Sequence, residues 1–486
     1  MRPDIIIIGA GVVGCALARE LSRYQANVAV LERMSDAAEG ASKANSGIVH
    51  AGFDAKPGTL KARLNVEGAK MYPALCRELG APYTMPGALV LAFSDEELPT
   101  LKELYEQGLK NDVPGLRLLT REEILAIEPN TNPEVTGALL AETSGLTSPY
   151  ELSFALADHA AQNGVAFHME TDVKSIRREG DIWLVVTDRG TYTADAIINC
   201  AGVNSAKLHN MISGKKYTII PRRGEYYLLD RMEVLPFSRT MFQCPTKMGK
   251  GILVSPTVHG NLLLGPSAED IGDALDTATT AMGLYTVLEK ARLTWKNASP
   301  RGTITTFSGI RAHEEKGDFV IGPLEDAPTA FEALGIESPG LSSAPAIAKM
   351  LCGQVASAMG LAEKEIFLPA VPRPKPFHAM SFGERVKAVG ENPAYGNLVC
   401  RCEQVTEAEI REAIRRPLRA HTIDGVKRRT RAGMGRCQGG FCSPRVLDIL
   451  AEELHIPETE VTKCGGESRL LTETIGEALR EGTCHA

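Results

Sequence analysis

The chain has 486 residues, about three times the usual length of one domain, so we expect two or three domains and a large hydrophobic core. Hydrophobic residues make up 44% of the chain and charged residues 23%, which excludes the disordered, collagenous and disulfide-dense classes. The 53 basic and 60 acidic residues give a net charge of -7, which disfavours a general nucleic-acid-binding protein.

The cysteine count and the apolar segments indicate the compartment. Eleven cysteines are too few for a disulfide framework in a chain of this length, so we expect a reducing compartment and treat clustered cysteines as candidate metal ligands. Residues 4–14 are apolar but interrupted by glycines and lack a cleavage motif, so we expect mature structure there. No apolar run reaches the roughly 18 residues of a membrane-spanning helix. We expect a cytoplasmic protein, peripheral at most to the inner face of the membrane through a partner.

The first predicted elements form one βαβ unit: a strand at residues 4–8, a glycine-rich turn, a helix from 12 to about 24 and a strand at 27–31. Because the first strand is apolar without alternation, it is typical of a parallel sheet covered on both faces. Further helices are predicted at 60–79, 100–108, 121–127, 149–163 and 344–359. Further strands are predicted at 166–168, 182–187, 196–200, 317–321 and 331–335. Between 217 and 266, short strands broken by Gly and Pro indicate an antiparallel sheet inserted into an α/β domain.

A proline-rich linker separates the C-terminal part of the chain. Four prolines lie between residues 368 and 378, a spacing that sustains neither a helix nor a central strand. We assign residues 371–379 to this linker and 380–455 to a small, basic, cysteine-bearing domain. Residues 456–486 are assigned to a tail with one more helical stretch.

A G-x-G-x-x-G motif lies between the first predicted strand and helix. Gly9 permits the tight turn, Gly11 lets the backbone approach a pyrophosphate, and Gly14 allows close packing of helix on strand. Glu32 ends the next strand, where an acidic residue accepts hydrogen bonds from a ribose 2'-hydroxyl. The motif predicts a dinucleotide site but does not distinguish FAD from NAD.

Small polar residues follow the second predicted strand. Ser42, Asn45 and Ser46 offer hydrogen-bond donors where the pyrophosphate and ribityl chain of a bound dinucleotide would run. A plain polar loop is the alternative interpretation.

These motifs, together with Asp-Ala-Ile-Ile-Asn-Cys-Ala-Gly at 195–202 and Ser-Pro-Gly-Leu-Ser-Ser-Ala-Pro at 338–345, make residues 1–370 resemble the glutathione-reductase-like FAD enzymes of the D-amino-acid-oxidase (glycine oxidase-like) family. The resemblance implies an α/β fold: a FAD-binding Rossmann domain at about 1–78, 145–210 and 308–370, with an inserted antiparallel β substrate domain at about 79–144 and 211–307. It also implies further cofactor contacts from Val173, Gly202, Gly309, Gly340, Leu341 and Ser342.

In this family the late Gly-Leu-Ser segment sits under the flavin at a helix N-terminus. The resemblance therefore implies that the helix predicted to begin near Ser343 stabilises negative charge on the reduced isoalloxazine.

Residues 45–52 and 306–311 resemble the glycerol-3-phosphate dehydrogenase and L-2-hydroxyglutarate oxidase branch of the family. Hydride removal from a secondary alcohol needs an anchor for the anionic end of the substrate and a base for the hydroxyl proton. Arg311 matches the substrate arginine of the family, and its planar fork suits phosphate or carboxylate. His50 is the candidate base, because an unperturbed imidazole titrates near neutral pH.

Other polar residues are weaker candidates. Arg222, Arg223, Tyr226 and Lys316 are considered for the second half of an anion clamp. Aerobic-type glycerol-3-phosphate dehydrogenases use more than one arginine around the phosphate, whereas here Lys316 follows Arg311, so the substrate stays open. His259 is predicted to be a hairpin-turn residue without a catalytic role.

Four cysteines in the C-terminal domain form a candidate metal site: Cys400 and Cys402 as C-x-C, Cys437 and Cys442 as C-x4-C. Four thiolates bind either Zn²⁺ or a 2Fe-2S cluster. The C-x-C spacing is expected to place two sulfurs on one metal of a cluster. Glycines at 433, 435, 439 and 440 let backbone N–H groups approach the sulfurs, which favours iron–sulfur.

The segment resembles the bacterioferritin-associated-ferredoxin-like 2Fe-2S domain. Residues 406–409 have the Thr-x-x-Glu pattern of a capping box, which predicts that a helix begins here and extends to Arg415. The stand-alone members end in C-x2-C, so this form is similar to the version fused to flavin dehydrogenases. Nine Lys or Arg residues against two acidic ones between 411 and 437 indicate either a solvated basic face or charges that offset the cluster.

The two parts together resemble the large-subunit type of anaerobic glycerol-3-phosphate dehydrogenases. The expected function is oxidation of sn-glycerol 3-phosphate to dihydroxyacetone phosphate with FAD as hydride acceptor, and export of electrons through a 2Fe-2S cluster to a partner protein or subunit. Oxidation of L-2-hydroxyglutarate is the alternative, because residues 50–52 and 57–62 are at least as similar to that enzyme. An electron-transfer scaffold without a substrate site is the alternative from another class.

Overall fold

The computed structural model describes residues 2–232, 234–245 and 251–473. The part of the tail beyond residue 473, where the last helical stretch is predicted, lies outside these residues. The helices are α1 Val12–Leu21, α2 Leu60–Leu79, α3 Leu98–Lys110, α4 Arg121–Ile127, α5 Pro149–Gln162, α6 Ser205–Ile212, α7 Ala281–Thr294, α8 Gly340–Met359, α9 Phe382–Glu391, α10 Glu407–Arg415, α11 Ile423–Thr430 and α12 Ser443–Leu454. The strands are β1 Ile5–Ile8, β2 Val28–Leu31, β3 Ile48–Val49, β4 Tyr83–Thr84, β5 Ala88–Ala92, β6 Leu116–Thr120, β7 Gly137–Ala141, β8 Gly145–Thr147, β9 Ala166–His168, β10 Val173–Glu179, β11 Ile182–Thr187, β12 Gly190–Ala194, β13 Ala196–Asn199, β14 Ile219–Leu229, β15 Thr240–Gln243, β16 Leu253–Pro256, β17 Leu262–Gly265, β18 Glu269–Asp270, β19 Thr303–Glu314, β20 Val320–Leu324, β21 Ala327–Leu334, β22 Leu398–Cys400 and β23 Val405–Thr406.

Six strands form the first sheet, in the order β20-β21-β13-β1-β2-β9, with β1 near its middle. All neighbouring pairs are parallel except β20 with β21. Ile5 and Ile7 pack in the core formed with α1, α5 and α8, whereas Ile6 and Ile8 pack against the β10-β11-β12 meander on the opposite face. The absence of polar alternation in β1 follows from this burial on both faces.

The second sheet has the order β18-β14-β17-β16-β15-β5-β7-β6, and β19 pairs with β14 along almost its whole length. Helix α7 packs on this sheet. The pairing is antiparallel as predicted, except that β15 and β5 run parallel. Strand β5 and strand β15 are about 150 residues apart in the chain, so no hairpin connects them and they are not required to be antiparallel.

Several element boundaries differ from the sequence prediction: α1 ends at Leu21 and not near residue 24, and α3 spans Leu98–Lys110 and not 100–108. Helix α8 begins at Gly340 and not near residue 343 or 344, although Pro345 lies in its second turn. Pro345 lacks the N–H that would bond to the Leu341 carbonyl, and the hydroxyl of Tyr72 donates to that carbonyl instead, at 2.5 Å. The strands expected at 317–321 and 331–335 lie at Val320–Leu324 and Ala327–Leu334, where they form a hairpin.

The C-terminal domain consists of the β22–β23 hairpin and helices α10, α11 and α12 around one small core. The predicted capping box is present: the Thr406 side chain accepts from the Glu409 N–H, and the Glu409 carboxylate accepts from the Thr406 N–H. In the structure the linker comprises residues 368–376, which contain neither helix nor strand; the predicted bounds of 371–379 differ because Phe377–Ala379 form a 3-10 turn. It is bound to α5, where the His159 ring lies 2.8 Å from the Leu368 carbonyl. Within the described ranges, no helix is both long and apolar enough to span a bilayer.

Candidate functional site

The glycine-rich turn between β1 and α1 has little room for side chains. A Cβ at Gly9 would lie 2.5 Å from the Cys200 carbonyl oxygen, and one at Gly14 would lie 2.0 Å from the Gly9 carbonyl oxygen. Gly9 also has a left-handed φ of +105°, which favours glycine. At Gly11 the nearest atom is the Ser42 hydroxyl, 3.3 Å from the Cβ position. Of the three glycines, Gly11 therefore has the most space beside it, and this is the position where a pyrophosphate approaches the backbone in dinucleotide-binding turns.

The segment 41–47 lies over this turn. The Ser42 hydroxyl accepts a hydrogen bond from the Val12 N–H at the start of α1, and the Asn45 side chain accepts one from the Gly47 N–H. A Cβ at Gly309 would lie 1.9 Å from the Ala44 carbonyl oxygen. Strand β19 can reach this segment only because residue 309 has no side chain.

Glu32 binds the turn from the end of β2. One carboxylate oxygen accepts from the Ala10 N–H at 2.7 Å and the other from the Met34 N–H at 2.9 Å. Burial raises the pKa of Glu32, and these two hydrogen bonds only partly offset the rise. Each oxygen has a second lone pair, so the carboxylate can still accept from a ribose hydroxyl.

The other expected cofactor residues lie in two places. Val173 begins β10 and packs in the core beneath β1, and Gly202 has a left-handed φ of +55° with open space at its Cβ position. Gly340, Leu341 and Ser342 form the first turn of α8. This first turn contacts the segment that leads to His50.

His50 is buried where the first sheet meets the second. Its N–H donates to the Ser342 hydroxyl at 2.8 Å, and its carbonyl accepts from the Asn65 side chain at 2.7 Å. Its ring lies 5.6 Å from the Phe242 ring of β15, measured between centroids. Sequence reasoning missed Asn65 and Phe242, because neither lies in a recognisable motif.

Arg311 faces segment 41–47 from β19. Its guanidinium donates to the Ser267 carbonyl at 2.9 Å and is hydrogen-bonded to the Tyr226 hydroxyl. Burial raises the pKa of Tyr226, although Arg311 and a hydrogen bond to Ser46 act in the opposite direction. Among the described residues, Arg311 forms no ion pair with a carboxylate. The arrangement is a partly buried cation that is bound only to neutral groups.

Strand register separates the weaker candidates. Arg222 lies directly opposite Arg311, so both project from the same face, and Arg222 is paired with Asp270. Arg223 projects from the opposite face and is paired with Glu269 and Asp276. Tyr226 shares the face of Arg311 and stacks on Phe307, directly opposite it.

Lys316 and His259 lie away from this face. Lys316 is exposed in the turn after β19, 5.8 Å from the Tyr217 ring centroid. His259 lies in the turn between β16 and β17, as predicted, and also contacts the Glu151 carboxylate at 2.7 Å.

The four cysteines of the C-terminal domain form two close pairs. The sulfurs of Cys402 and Cys437 are 3.8 Å apart, and the thiol of Cys442 is hydrogen-bonded to Cys400. This hydrogen bond, with the N–H groups of Gly433 and Glu403, lowers the pKa of Cys400 to about 6. Each pair joins one cysteine of each motif, and Cys400 is buried whereas Cys402 is exposed.

Two of the nearby glycines donate N–H groups to the cysteine sulfurs: Gly433 to Cys400 and Gly439 to Cys437. Burial would raise the pKa of Cys437, but N–H groups of Phe441 and Gly439 help to lower it. A Cβ at Gly435 would lie 2.3 Å from the Cβ of Cys402. Across the described ranges, no three His, Cys, Asp or Glu side chains converge as one metal ion requires. The four thiols are the donor set that a 2Fe-2S cluster needs.

Both cysteine motifs lie against the second sheet. Glu403, next to Cys402, accepts from Arg231 at 2.6 Å, and Arg436, next to Cys437, contacts Asp230 at 2.9 Å. These reciprocal ion pairs use two adjacent residues at the end of β14. They hold the cysteine-bearing end of the C-terminal domain against the sheet that carries Arg311.

Comparison with known proteins agrees with this architecture. A relative named glycerol 3-phosphate dehydrogenase, from Caloramator mitchellensis, is 47% identical over 473 residues, which cover 96% of this chain and 98% of that protein. The mitochondrial L-2-hydroxyglutarate dehydrogenase of Arabidopsis thaliana is 29% identical over 407 residues, covering 73% of this chain and 83% of that protein. The solved structure of dithionite-reduced L-alpha-glycerophosphate oxidase from Mycoplasma pneumoniae with FAD bound matches with a TM-score of 0.73 and 30% identity, over 77% of this chain and 100% of that one.

Two family models match this chain. Residues 398–452 match the BFD-like [2Fe-2S] binding domain, which confirms the predicted cluster type. Residues 4–354 match the FAD dependent oxidoreductase model. The α/β FAD fold with a helical 2Fe-2S domain is thereby confirmed, and FAD and a 2Fe-2S cluster are the cofactors. The chain belongs to the DAO family of FAD-dependent oxidoreductases.

Proposed function

We propose that this enzyme oxidises sn-glycerol 3-phosphate to dihydroxyacetone phosphate and exports the electrons through its 2Fe-2S cluster. The observation that carries the proposal is Arg311, a partly buried guanidinium that is bonded to Ser267 and Tyr226 but to no carboxylate of the described chain. A partly desolvated cation of this kind is stabilised by an anionic ligand. The names of the 47% identical relative and of the solved oxidase support phosphate as that anion.

The residues around the glycine-rich turn fit FAD. The space beside Gly11 admits the pyrophosphate, and Ser42, Asn45 and Ser46 lie along the path of the ribityl chain. Gly309 brings β19, and with it Arg311, onto the same segment. When bound, FAD accepts the hydride and the 2Fe-2S cluster carries single electrons onward.

His50 is proposed as the base that takes the proton of the substrate hydroxyl. Oxidation of the alcohol breaks a C–H bond, whose electron pair leaves with the hydride, and an O–H bond, whose proton needs an acceptor. The Ser342 hydroxyl binds its backbone N–H and the Asn65 amide binds its carbonyl, which fixes the position from which the imidazole would accept the proton.

L-2-hydroxyglutarate is the second candidate substrate, supported by the 29% identity to a dehydrogenase of that name. An arginine fork binds a carboxylate as well as a phosphate. Arg222 lies opposite Arg311 and is paired with Asp270. If that ion pair opened, a phosphate dianion would bind both guanidinium groups. A scaffold without a substrate site has no need for a cation like Arg311.

Anaerobic titration of the purified flavoprotein with each substrate separates these functions. We expect glycerol 3-phosphate to bleach the flavin absorbance at a lower concentration than L-2-hydroxyglutarate. Arg311→Met should lose the bleaching, whereas Arg177→Met, a control on an exposed arginine of β10, should retain it. If only L-2-hydroxyglutarate bleached the flavin, the substrate would be L-2-hydroxyglutarate and not glycerol 3-phosphate. If neither compound bleached it, the protein would be an electron-transfer scaffold without a substrate site.

We also propose an acidic protein as the electron acceptor, docking at the exposed side of the cysteine motifs. Cys402 is exposed, and Phe441, next to Cys442, is 89% exposed. Arg401, next to Cys402, is exposed, and Arg436, next to Cys437, remains 76% exposed in its pair with Asp230. An exposed aromatic ring within a positively charged rim is suited to a negatively charged partner surface.

Flavodoxin and cytochrome c provide acidic and basic probes of this surface. We expect Phe441→Ser to slow electron transfer to flavodoxin and to leave transfer to a small dye unchanged. Phe382→Ser, at an 84% exposed phenylalanine of α9, is the matched control and should change neither rate. A preference for cytochrome c in the unaltered enzyme would contradict the acidic partner.

A further inference from the structure

Two buried carboxylates lie in the loop between β2 and segment 41–47. The side chains of Asp36 and Glu39 are 5% and 1% exposed. Burial alone would raise the pKa of Asp36, but the charge and hydrogen bonds of Arg429 hold it below its ordinary value. Carboxylates this deeply buried need cationic partners in the folded protein.

The partners come from α11 of the 2Fe-2S domain. Arg429 donates to Asp36 with both terminal nitrogens, one of them at 2.8 Å, and Arg428 donates to Glu39 at 2.9 Å. The Arg429 guanidinium also lies 3.9 Å from the centroid of the Phe154 ring in α5. Among the basic residues between 411 and 437, Arg415 and Arg436 are exposed, whereas Arg428 and Arg429 are buried in these ion pairs. The ion pairs of Arg428 and Arg429 hold the 2Fe-2S domain on the FAD domain.

Further contacts fix the same junction. The Ser35 hydroxyl donates to the Cys464 carbonyl at 2.8 Å, and a Cβ at Gly465 would lie 2.3 Å from the Ser35 Cβ. On α5, the Asp158 carboxylate accepts from Arg416 at 2.6 Å. The loop at 35–39 is thus enclosed by α11 and by the turn of the tail that contains Cys464 and Gly465.

This loop is also bonded to the glycine-rich turn. The N–H of Ala38, which lies between the two clamped carboxylates, donates to the Ala10 carbonyl at 2.8 Å. Ala38 has a φ of +61°, a left-handed conformation that is costly for a residue with a Cβ and persists only where its surroundings hold it. Glu39 extends the connection, because it accepts from Lys43 at 3.0 Å, next to Ser42.

We propose that docking of the 2Fe-2S domain holds the FAD-binding loop in its binding conformation, with Arg428 and Arg429 as positioning residues. The two arginines fix the carboxylates on either side of Ala38, and Ala38 binds the turn on which the pyrophosphate rests. By thermodynamic reciprocity, bound FAD then strengthens the docking of the 2Fe-2S domain. The proposal holds for either candidate substrate, because it concerns the affinity for FAD and not the reaction.

A mutant cycle on the Asp36–Arg429 pair tests the proposal. Arg429→Gln leaves Asp36 buried without its main partner, so we expect the Kd of the apoprotein for FAD, measured by flavin fluorescence, to rise about tenfold or more. Hydrogen exchange across residues 33–47 should rise with it, while iron and acid-labile sulfide stay unchanged. The double variant Asp36→Asn with Arg429→Gln should recover most of the affinity, because no uncompensated charge remains.

Arg415→Gln is the matched control, since Arg415 is exposed and pairs with Glu453 inside the 2Fe-2S domain. It should leave the Kd for FAD unchanged. The wild-type protein provides a second test that needs no variant: removal of FAD should increase proteolysis of the linker at 368–376. An unchanged Kd in Arg429→Gln, or equal linker proteolysis with and without FAD, would overturn the coupling. Failure here leaves flavin bleaching by substrate intact, so it is distinguishable from failure of the proposed function.

Discussion

Arg311 and Arg222 lie directly opposite each other on β19 and β14, and within the part of the chain that the structure describes only Arg222 has a carboxylate partner. Both guanidinium groups project from one face of the second sheet. Asp270 neutralises Arg222, and the hydrogen bond from Arg222, together with the charges of Arg222, His313 and Arg311, holds the pKa of Asp270 below its ordinary value. Of the two arginines, Arg311 is therefore the one whose charge is available to a substrate.

Arg311→Lys should raise KM about tenfold or more and lower kcat less, because lysine keeps the charge but loses the fork that anchors the anion. Arg222→Lys should have the smaller effect, since Asp270 already occupies Arg222. Steady-state kinetics with an artificial dye as acceptor measure both variants. Unchanged kinetics of Arg311→Lys on every anionic alcohol would remove this residue from the site.

His50→Asn should slow flavin reduction by about 10²- to 10⁴-fold, the usual contribution of a general base. The hydrogen bonds of this residue to Ser342 and Asn65 use its backbone, so the fold around it should persist. Anaerobic stopped-flow measurements across pH give the decisive result. The wild-type rate should fall on the acidic side as the base becomes protonated, and that limb should disappear in the variant. If the limb remained, another residue would be the base.

Gly309→Ala should weaken FAD binding, because the added Cβ would lie 1.9 Å from the Ala44 carbonyl oxygen and displace segment 41–47. Gly272→Ala is the control, since nothing lies within 4 Å of its Cβ position. The flavin content of the purified proteins measures the effect. A Gly309→Ala protein with full flavin content would show that β19 does not need this close approach.

Cys437→Ser should leave flavin reduction by substrate nearly intact and abolish transfer to the protein acceptor. The proposed catalytic residues, His50 and Arg311, lie in another part of the chain, and the sulfur of Cys437, a proposed cluster ligand, lies 3.8 Å from that of Cys402. Dyes that take electrons from the flavin should still turn over. Elemental analysis of the wild-type protein should give about two irons and two acid-labile sulfides per chain. Zinc without iron would refute electron export through this domain.

Acid should release the 2Fe-2S domain from the FAD domain. The pKa of Asp36 is depressed in the folded protein, so its ion pair with Arg429 stabilises docking above the unfolded pKa of about 3.9 and loses this effect as the pH falls through the folded value. Proteolysis of the linker at 368–376 should therefore increase below about pH 4. Asp36→Asn should remove this step. If linker proteolysis depended on pH in the same way in Asp36→Asn, other carboxylates would be responsible for the separation of the two domains.

The sequence by itself determined the features that depend on neighbours in the chain. The glycine-rich turn, the Thr406–Glu409 capping box, the bounds of α2 and α4, and the two cysteine motifs follow from contacts between residues close in the chain. The resemblance carried by these motifs was sufficient for the FAD fold and the cluster type, which the family comparisons confirm.

Only the tertiary structure decided which charges are available and how the two domains join. The resemblance singles out Arg311, but only the register of β14 with β19 determines the faces and the carboxylate partners of Arg222, Arg223 and Arg311. The start of α8 depends on the hydroxyl of Tyr72, which is 269 residues away from Leu341. The pair of Asp36 and Arg429 spans 393 residues. No local pattern encodes such contacts, because they exist only when packing brings the two surfaces together and excludes water from the charges.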